Sequence, residues 1–267
     1  MNKGNLADTS KGTSKLAQLR QNRCISKATV NIEDAIDGYV SSIDTQKMME
    51  EIARNSALVN LIIDNSPSME GTPSSIAEEI NEFARRQGAK IYTTKISLTL
   101  FNTVVRHIIN KEDAKQFVPV SPWYCDGGTN IYDAAISAIA PVLQADANHR
   151  LHLIVTDGLN GRSNHTEQDV RNLISRRTDE HIFLLFNDEY NKEKSVKDYA
   201  VELGINPNNA VNFKPYGDGI KIIFQTIEYL LDGLRTKGSV PEDWAKAIAA
   251  HNNNPMGVKA REVKFLN

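Results

Sequence analysis

Three short apolar runs, each ending in a polar residue, most constrain what this chain of 267 residues can fold into. They read ALVNLIID at 57–64, LHLIVTD at 151–157 and HIFLLFN at 181–187. Runs that are apolar at nearly every position are typical of central parallel strands, which are buried on both faces. The intervening segments space their apolar residues as helices do. This alternation predicts an α/β domain whose sheet is mostly parallel.

Further patterns complete that domain. The run KISLTLFNTVVRHII alternates apolar and polar residues before a polar break at Asn102 and Thr103, which predicts an antiparallel hairpin. Helices are expected from Pro73 to just before Gly88, from Ile131 to Val142, and within 167–177 and 192–203. A weak strand AVNFK and a last helix GIKIIFQTIEYLLDGLR follow. The predicted fold class is a doubly wound, Rossmann-like α/β sheet with one antiparallel edge strand and helices on both faces.

Four segments divide the chain. Residues 1–23 are expected to be a flexible arm, either a solvated tail or a docking arm, since Asp8 is its one acid and its basic residues are Lys3, Lys11, Lys15, Arg20 and Arg23. Residues 24–56 are expected to be mostly helical, and residues 57–235 to form the α/β domain. Residues 236–267 are a C-terminal extension with one short helix near Pro241. It either packs back through Trp244 and Ile248 or binds a partner.

Composition excludes several classes of protein. The net charge of −2 gives no overall attraction to nucleic acid or acidic membranes. No apolar stretch matches a signal peptide, and none reaches the ~18 residues of a membrane span, so a cytoplasmic protein is expected. The two cysteines, Cys24 and Cys125, are too few and too far apart for a disulfide framework or a zinc site. The histidines at 107, 149 and 152 are interpreted as partly exposed polar residues rather than metal ligands.

Oxygen-bearing side chains follow the predicted strand ends. Asp64, Ser66 and Ser68 come directly after the first run, Thr129 lies in DGGTNI before a helix, and Asp157 ends the second run. In open α/β sheets, ligands bind outside the carboxyl ends of the strands, so these side chains are expected to lie together. Spacing by two in an extended loop would point the first three to one side. Each stretch alone could instead be a turn or a helix cap.

Two carboxylates and three hydroxyls form a donor set that suits a hard cation. Mg²⁺ prefers oxygen ligands in octahedral geometry, and Mn²⁺ or Ca²⁺ could take its place. No thiolate or imidazole in these stretches would favour a softer metal. The sequence therefore predicts a Mg²⁺ site at one edge of the sheet, with Asp64, Ser66, Ser68, Thr129 and Asp157 as its ligands.

The three stretches IIDNSPSM, GGTNI and IVTDG resemble the metal-ion-dependent adhesion site of the von Willebrand factor type A, or integrin inserted-domain, family. The resemblance covers roughly residues 57–232 and fills all five motif positions. It implies that Ser66 and Ser68 bind the metal directly, and that Asp64, Thr129 and Asp157 bind it directly or through waters. It also implies that an Asp or Glu of a partner protein completes the coordination, so the metal bridges two proteins and catalyses nothing.

The function expected from this resemblance is an intracellular, metal-dependent protein–protein interaction module without catalytic residues or an organic cofactor. Stand-alone members of the family work beside ATPases, kinases or phosphatases, which makes these the expected partners. The loops around 69–72, 121–128 and 158–166 are expected to set specificity. Nucleic acid is not an expected partner, because no aromatic residues are interleaved with the basic ones. Membranes are not expected partners either, given the net charge and the lack of an apolar span.

An enzyme is the main alternative. A strand-end aspartate with Mg²⁺ on a similar α/β fold also describes phosphohydrolases and phosphotransfer enzymes. Such sites usually need a second acid or a positioned lysine, and the three stretches contain no Lys or Arg. The sequence also lacks a phosphate-binding G-x-x-x-x-G-K-[ST] loop.

Overall fold

The computed structural model describes residues 44–158, 160–187 and 194–255, and the chain divides into two units, residues 1–51 and 52–267. In the first unit, residues 44–51 are helical, and Gln46 Nε2 donates to Glu50 Oε1 one turn later at 3.1 Å. The basic arm predicted for 1–23, the extension up to residue 43 and the tail 256–267 lie outside the described residues, as do Cys24 and Leu159.

A six-stranded sheet forms the centre of the second unit. Its strands are β1 (Ala57–Asp64), β2 (Thr94–Phe101), β3 (Val105–Asp113), β4 (His149–Thr156), β5 (His181–Phe186) and β6 (Ala210–Asn212). Their spatial order is β3-β2-β1-β4-β5-β6, and all neighbours are parallel except β2 and β3. The predicted mostly parallel sheet with one antiparallel edge strand is confirmed.

Six helices cover the two faces of this sheet. They are α1 (Pro73–Gly88), α2 (Ile131–Ile139), α3 (Glu167–Ile174), α4 (Val196–Leu203), α5 (Gly219–Lys237) and α6 (Lys246–Asn253). One apolar core lies between the sheet and α1, α5 and α6, and a second lies between the sheet and α2, α3 and α4. Central strand β1 is buried at every position because it contributes side chains to both faces. The doubly wound prediction is therefore confirmed.

Local details differ from the sequence expectations. Helix α2 ends at Ile139, and the predicted position Val142 packs separately with Leu58 and Ala147. The last helix starts at Lys246 rather than near Pro241, because a turn closed by Trp244 N–H donating to Pro241 O precedes it. The expectation of a partly exposed histidine at 152 is wrong, since that side chain is 0 % exposed.

The connection from β3 to α2 contains neither helix nor strand. This crossover segment, residues 114–130, packs Phe117, Val120, Trp123 and Cys125 against the core on the α1 side. Asn81 of α1 fixes its backbone, since Oδ1 accepts from Val120 N at 2.8 Å and Nδ2 donates to Val120 O at 3.0 Å. The segment ends at the edge of the sheet where β1 and β4 end. In the described ranges, no helix is both long and apolar enough to cross a membrane.

Candidate metal centre

Adjacent parallel strands bring the two predicted aspartates to the same edge of the sheet. Strands β1 and β4 pair in register, with Ile63 opposite Val155. Asp64 is the last residue of β1, and Asp157 directly follows the last residue of β4. Both aspartates are buried although they lie at strand ends. The strand order thus unites residues that are far apart in the sequence.

Hydrogen bonds join four of the five predicted ligands. Ser66 Oγ lies 3.1 Å from Ser68 Oγ, and Ser68 Oγ donates to Asp157 Oδ1 at 2.8 Å. Asp64 Oδ1 accepts from the backbone N–H of Ser66 at 2.8 Å. The side chains predicted from the first and third stretches therefore form one connected cluster.

The sequence led us to expect an extended loop after β1, but the loop is not extended throughout. Pro67–Met69 form one turn of 3-10 helix, in which Met69 N–H donates to Ser66 O at 3.0 Å. Proline at the first position of this turn has a preset φ, and the Met69 side chain is buried as an anchor. This turn, and not the alternation of an extended chain, brings Ser66 and Ser68 together.

Thr129 approaches the cluster from the crossover segment. Its carbonyl accepts from Gly161 N–H at 2.6 Å, which ties it to the loop after β4. A Cβ placed on Gly158 would lie 3.2 Å from Thr129 Oγ1, so the threonine hydroxyl sits against the residue after Asp157. Glycine leaves room for this approach. All five predicted ligands therefore lie at one edge of the sheet, and their role as metal ligands stays a prediction.

Thr156 is a site residue that sequence reasoning missed. Its Oγ1 donates to Asp64 Oδ2 at 2.5 Å and accepts from Gly158 N–H at 3.1 Å. Both carboxylate oxygens of Asp64 are thus hydrogen-bonded. The signal was a hydroxyl residue directly before the strand-end aspartate in IVTDG.

The turn between β2 and β3 holds the Thr129 loop in place, which the sequence did not indicate. Asn130 N–H donates to Asn102 O and Asn130 Nδ2 to Thr103 O, both at 2.9 Å, and Gly128 N–H donates to Thr103 Oγ1 at 2.8 Å. Asn130 Oδ1 accepts from Arg162 N–H at 3.0 Å. The Asn130 side chain does not cap α2, the alternative role it could have had.

The electrostatics of the cluster favour a bound cation. Burial raises the pKa of Asp64 to about 6, although hydrogen bonds from Thr156 and Ser66 oppose the shift and the charge of Asp157 adds to it. Burial also raises the pKa of Asp157. Within the described ranges, no lysine, arginine or histidine pairs with either carboxylate. Asp157 Oδ2 is buried and accepts no hydrogen bond from a described residue.

The donor set fits a hard divalent cation. Two carboxylates and three hydroxyls supply only oxygen, as Mg²⁺, Mn²⁺ and Ca²⁺ prefer, and a cation would satisfy the free oxygen of Asp157.

The nearby Cys125 thiol stays protonated, because burial and the negative charges of Asp64, Glu70, Asp157 and Asp126 raise its pKa to about 11. Nowhere in the described part of the chain, this centre included, do three His, Cys, Asp or Glu side chains gather as metal ligands would.

Sequence comparisons find no match, whereas structure comparisons do. No family model and no curated protein matches this sequence. The structure is similar to PilB, a minor pilin from Streptococcus sanguinis, with 12% identity and a TM-score of 0.52 over 70% of this chain and 63% of that one. It is also similar to the open conformation of the pilus adhesin SpaC from Lactobacillus rhamnosus GG, with 13% identity and a TM-score of 0.50 over 68% and 30% of the two chains.

A more distant similarity links the chain to proximal thread matrix protein 1 from the mussel byssus, in a structure with a zinc-occupied MIDAS motif. The identity is 13% and the TM-score 0.44, over 70% of this chain and 46% of that one. At that distance the likeness assigns neither a metal nor a function. The match spans less than two thirds of each of these three proteins. Similarity at such low identity shows the fold alone, and the fold of this chain is that of von Willebrand factor type A domains.

Proposed function

We propose that this chain is an intracellular, metal-dependent protein-interaction domain that holds a divalent cation, Mg²⁺, at the edge of its sheet. One observation carries the proposal. Two buried aspartates lie in one hydroxyl-rich cluster, no described cationic side chain pairs with them, and one of their oxygens has no described hydrogen-bond donor. A buried carboxylate without a partner is costly, and a cation removes that cost.

Each proposed ligand has a defined place. The hydroxyls of Ser66 and Ser68 would bind the cation directly, since the turn at Pro67–Met69 brings them together. Asp157 has a free Oδ2 for the cation while its Oδ1 accepts from Ser68. Asp64 and Thr129 would bind directly or through waters, and Asp64 is already oriented by Thr156 and Ser66.

The charge balance explains why such a site would bind a partner. The two aspartates together neutralise a divalent cation, and the three hydroxyls add no charge. The bound cation would supply an electrophilic position for a carboxylate from a partner protein. A site with three or four carboxylates of its own would have little attraction for another. We therefore propose that an Asp or Glu of the partner completes the site.

Catalysis fits the cluster less well than binding does. A phosphotransfer enzyme would need an aspartate oxygen free to attack phosphate. Both oxygens of Asp64 accept hydrogen bonds, from Ser66 N–H and Thr156 Oγ1. The free Oδ2 of Asp157 is buried, and it is the atom that we propose to bind the cation. We accordingly propose that the chain is not an enzyme.

Calorimetric titration with MgCl₂ tests the metal site. Wild type is expected to bind one Mg²⁺, and Asp157→Asn to bind it at least about tenfold more weakly, because the cation loses a charged ligand. The matched control is Asp232→Asn, which removes a carboxylate that is 56 % exposed on α5. Equal affinity of wild type and Asp157→Asn would contradict the proposed site.

Two further assays test the binding role. A partner captured by wild type in MgCl₂ should be released by EDTA and should not be captured by Asp64→Ala. Capture that is indifferent to both changes would contradict a metal-bridged interaction. Phosphatase and ATPase assays on the pure protein should show no turnover that depends on Asp64, and any such turnover would favour the enzyme.

A further inference from the structure

A fully exposed aromatic side chain lies beside the candidate metal centre. In the crossover segment, Trp123 and Cys125 pack against the core, whereas Tyr124 between them is 93 % exposed. This alternation is what an extended backbone produces. Burial does not explain a tyrosine that points into solvent, and exposed aromatic residues on a fixed backbone are typical anchors of protein interfaces.

The backbone on both sides of Tyr124 is fixed. Asn81 clamps Val120 through two hydrogen bonds, and Asp126 N–H donates to Asn65 O at 3.0 Å. Pro119 and Pro122 further restrict the backbone between these points. Asn65 itself lies between the predicted ligands Asp64 and Ser66. Tyr124 therefore lies two residues before Asp126, whose N–H bonds directly to the loop of Asp64 and Ser66. Because this backbone is fixed, little conformational entropy would be lost when a partner binds to Tyr124.

Two exposed carboxylates flank the same side of the centre. Glu70 ends the turn that carries Ser68, and its N–H donates to Pro67 O at 3.0 Å. Asp126 follows Cys125 in the crossover segment. The negative charges of both act on the Cys125 thiol together with those of Asp64 and Asp157. All four carboxylates therefore lie close enough to Cys125 for their charges to act on its thiol.

The charges on this side do not cancel when a cation is bound. A divalent cation balances the charges of Asp64 and Asp157. Among the described residues, Glu70 and Asp126 form no ion pair, although the neutral Asn102 amide donates to Asp126 Oδ1. Arg162, in the loop after β4, is the one Lys or Arg in the sequence of the three predicted specificity loops, and its backbone N–H donates to Asn130 Oδ1. A partner carboxylate approaching the metal is thus repelled by two acids, unless its own segment also brings a positive charge.

We propose that Glu70, Tyr124 and Asp126 bind a Lys or Arg side chain of the partner. The tyrosine ring offers its face to the cation, and the two carboxylates offer ion pairs. The site then takes a protein segment in which a basic residue lies within about three residues of the metal-bound Asp or Glu, a reach of about 10 Å along an extended chain. This inference rests on the proposed function and specifies the partner of the same site.

Selection from a phage library of random dodecapeptides tests the inference. Wild type, Glu70→Gln and Tyr124→Leu are immobilised in MgCl₂, and bound phage are eluted with EDTA. The matched control is Glu242→Gln, which removes an exposed carboxylate in the turn before α6. From wild type and the control, eluted peptides should contain Asp or Glu with Lys or Arg nearby, the basic residue enriched about threefold, as expected for an exposed cation–aromatic contact. Both test variants should keep the Asp or Glu and lose the Lys or Arg enrichment.

The possible results separate this inference from the proposed function. Eluted peptides rich in Asp or Glu but not in nearby Lys or Arg would overturn the inference and leave the metal bridge intact. Unchanged basic enrichment on both test variants would also overturn it. If EDTA elutes no peptides enriched in Asp or Glu, the proposed function fails, and the inference fails with it.

Discussion

At the scale of single residues, Thr156 fixes the orientation of the Asp64 carboxylate. The hydroxyl donates to Asp64 Oδ2 and is itself held by Gly158 N–H, while Ser66 N–H occupies Asp64 Oδ1. The aspartate is thus oriented by the protein before any cation arrives. Groups that orient metal ligands in this way commonly influence affinity almost as strongly as the ligands do.

Replacing Thr156 by valine is expected to weaken Mg²⁺ binding by roughly 10-fold, because the variant keeps the shape of the side chain and removes the donor to Asp64. Thr156→Ser keeps the hydroxyl and should bind within about threefold of wild type. Calorimetric titration with MgCl₂ measures both constants. Wild-type affinity in Thr156→Val would show that this hydroxyl does not orient the site.

At the scale of elements, strand β4 carries a buried polar network at the end opposite the candidate metal centre. His152 Nε2 lies 2.9 Å from Glu180 Oε2, and Arg150 Nε donates to Glu180 Oε1 at 3.2 Å. Arg177 also donates to this carboxylate, at 3.1 Å. The Asn60 amide lies 3.0 Å from His152 Nδ1 and donates to Ala138 O at 2.9 Å. The network ties β1 and β4 to the ends of α2 and α3.

Burial favours the neutral form of His152. The amide group of Asn60 donates to Nδ1, so the imidazole proton lies on Nε2 and is donated to Glu180. Burial lowers the pKa of His152, even though Glu180 opposes the shift. The unfolded chain therefore binds a proton below about pH 6.5 that the folded chain does not. Stability linked to this residue is present above that pH and is lost as the pH falls below it.

The free energy of unfolding of wild type should thus fall relative to that of His152→Gln, by up to about 1.4 kcal/mol per pH unit below 6.5. Urea denaturation at pH 7.5, 6.5 and 5.5 measures the difference, in which contributions of other groups cancel. His107→Gln, at an exposed histidine, should follow wild type. A constant difference between wild type and His152→Gln across this range would show that the pKa of His152 is the same in the folded and unfolded chains.

At the scale of the whole second unit, the C-terminal segment is part of the core. Trp244 is 4 % exposed, and its Nε1 donates to Asn208 O at 3.1 Å. Its ring lies edge-on to that of Phe183, with the ring centroids 4.8 Å apart. Ile248 of α6 packs in the same core as α1 and α5. Residues 241–253 therefore complete one face of the sheet.

Trp244→Ala should lower the free energy of unfolding by about 3–5 kcal/mol, because it leaves a large cavity beside β5. Trp244→Phe keeps the ring contact and loses the hydrogen bond, so a loss of about 1–2 kcal/mol is expected. Urea denaturation followed by circular dichroism measures both values. A Trp244→Ala variant as stable as wild type would show that this face does not depend on α6.

Sequence patterns were sufficient to predict the central strands, because the physical causes of these patterns act on consecutive residues. A strand covered on both faces must be apolar at almost every position, which made β1, β4 and β5 recognisable. The strand-end oxygens of Asp64, Ser66, Ser68 and Asp157 were recognisable for a related reason, since the carboxyl edge of such a sheet is where its ligands bind. The ends of α2 and α6 were less well predicted, because turns and tertiary contacts decide them.

The sequence by itself determined the fold class and which oxygen side chains lie at the edge of the sheet, because hydrophobic periodicity and strand-end chemistry are written in consecutive residues. Only the tertiary structure decided how these side chains are oriented and charged. Three features depend on segments distant in sequence: the hydrogen bond from Thr156 to Asp64, the hydrogen bonds of Asn102 and Thr103 to the Thr129 loop, and the exposure of Tyr124. Such contacts arise from strand order and burial, which no local pattern specifies.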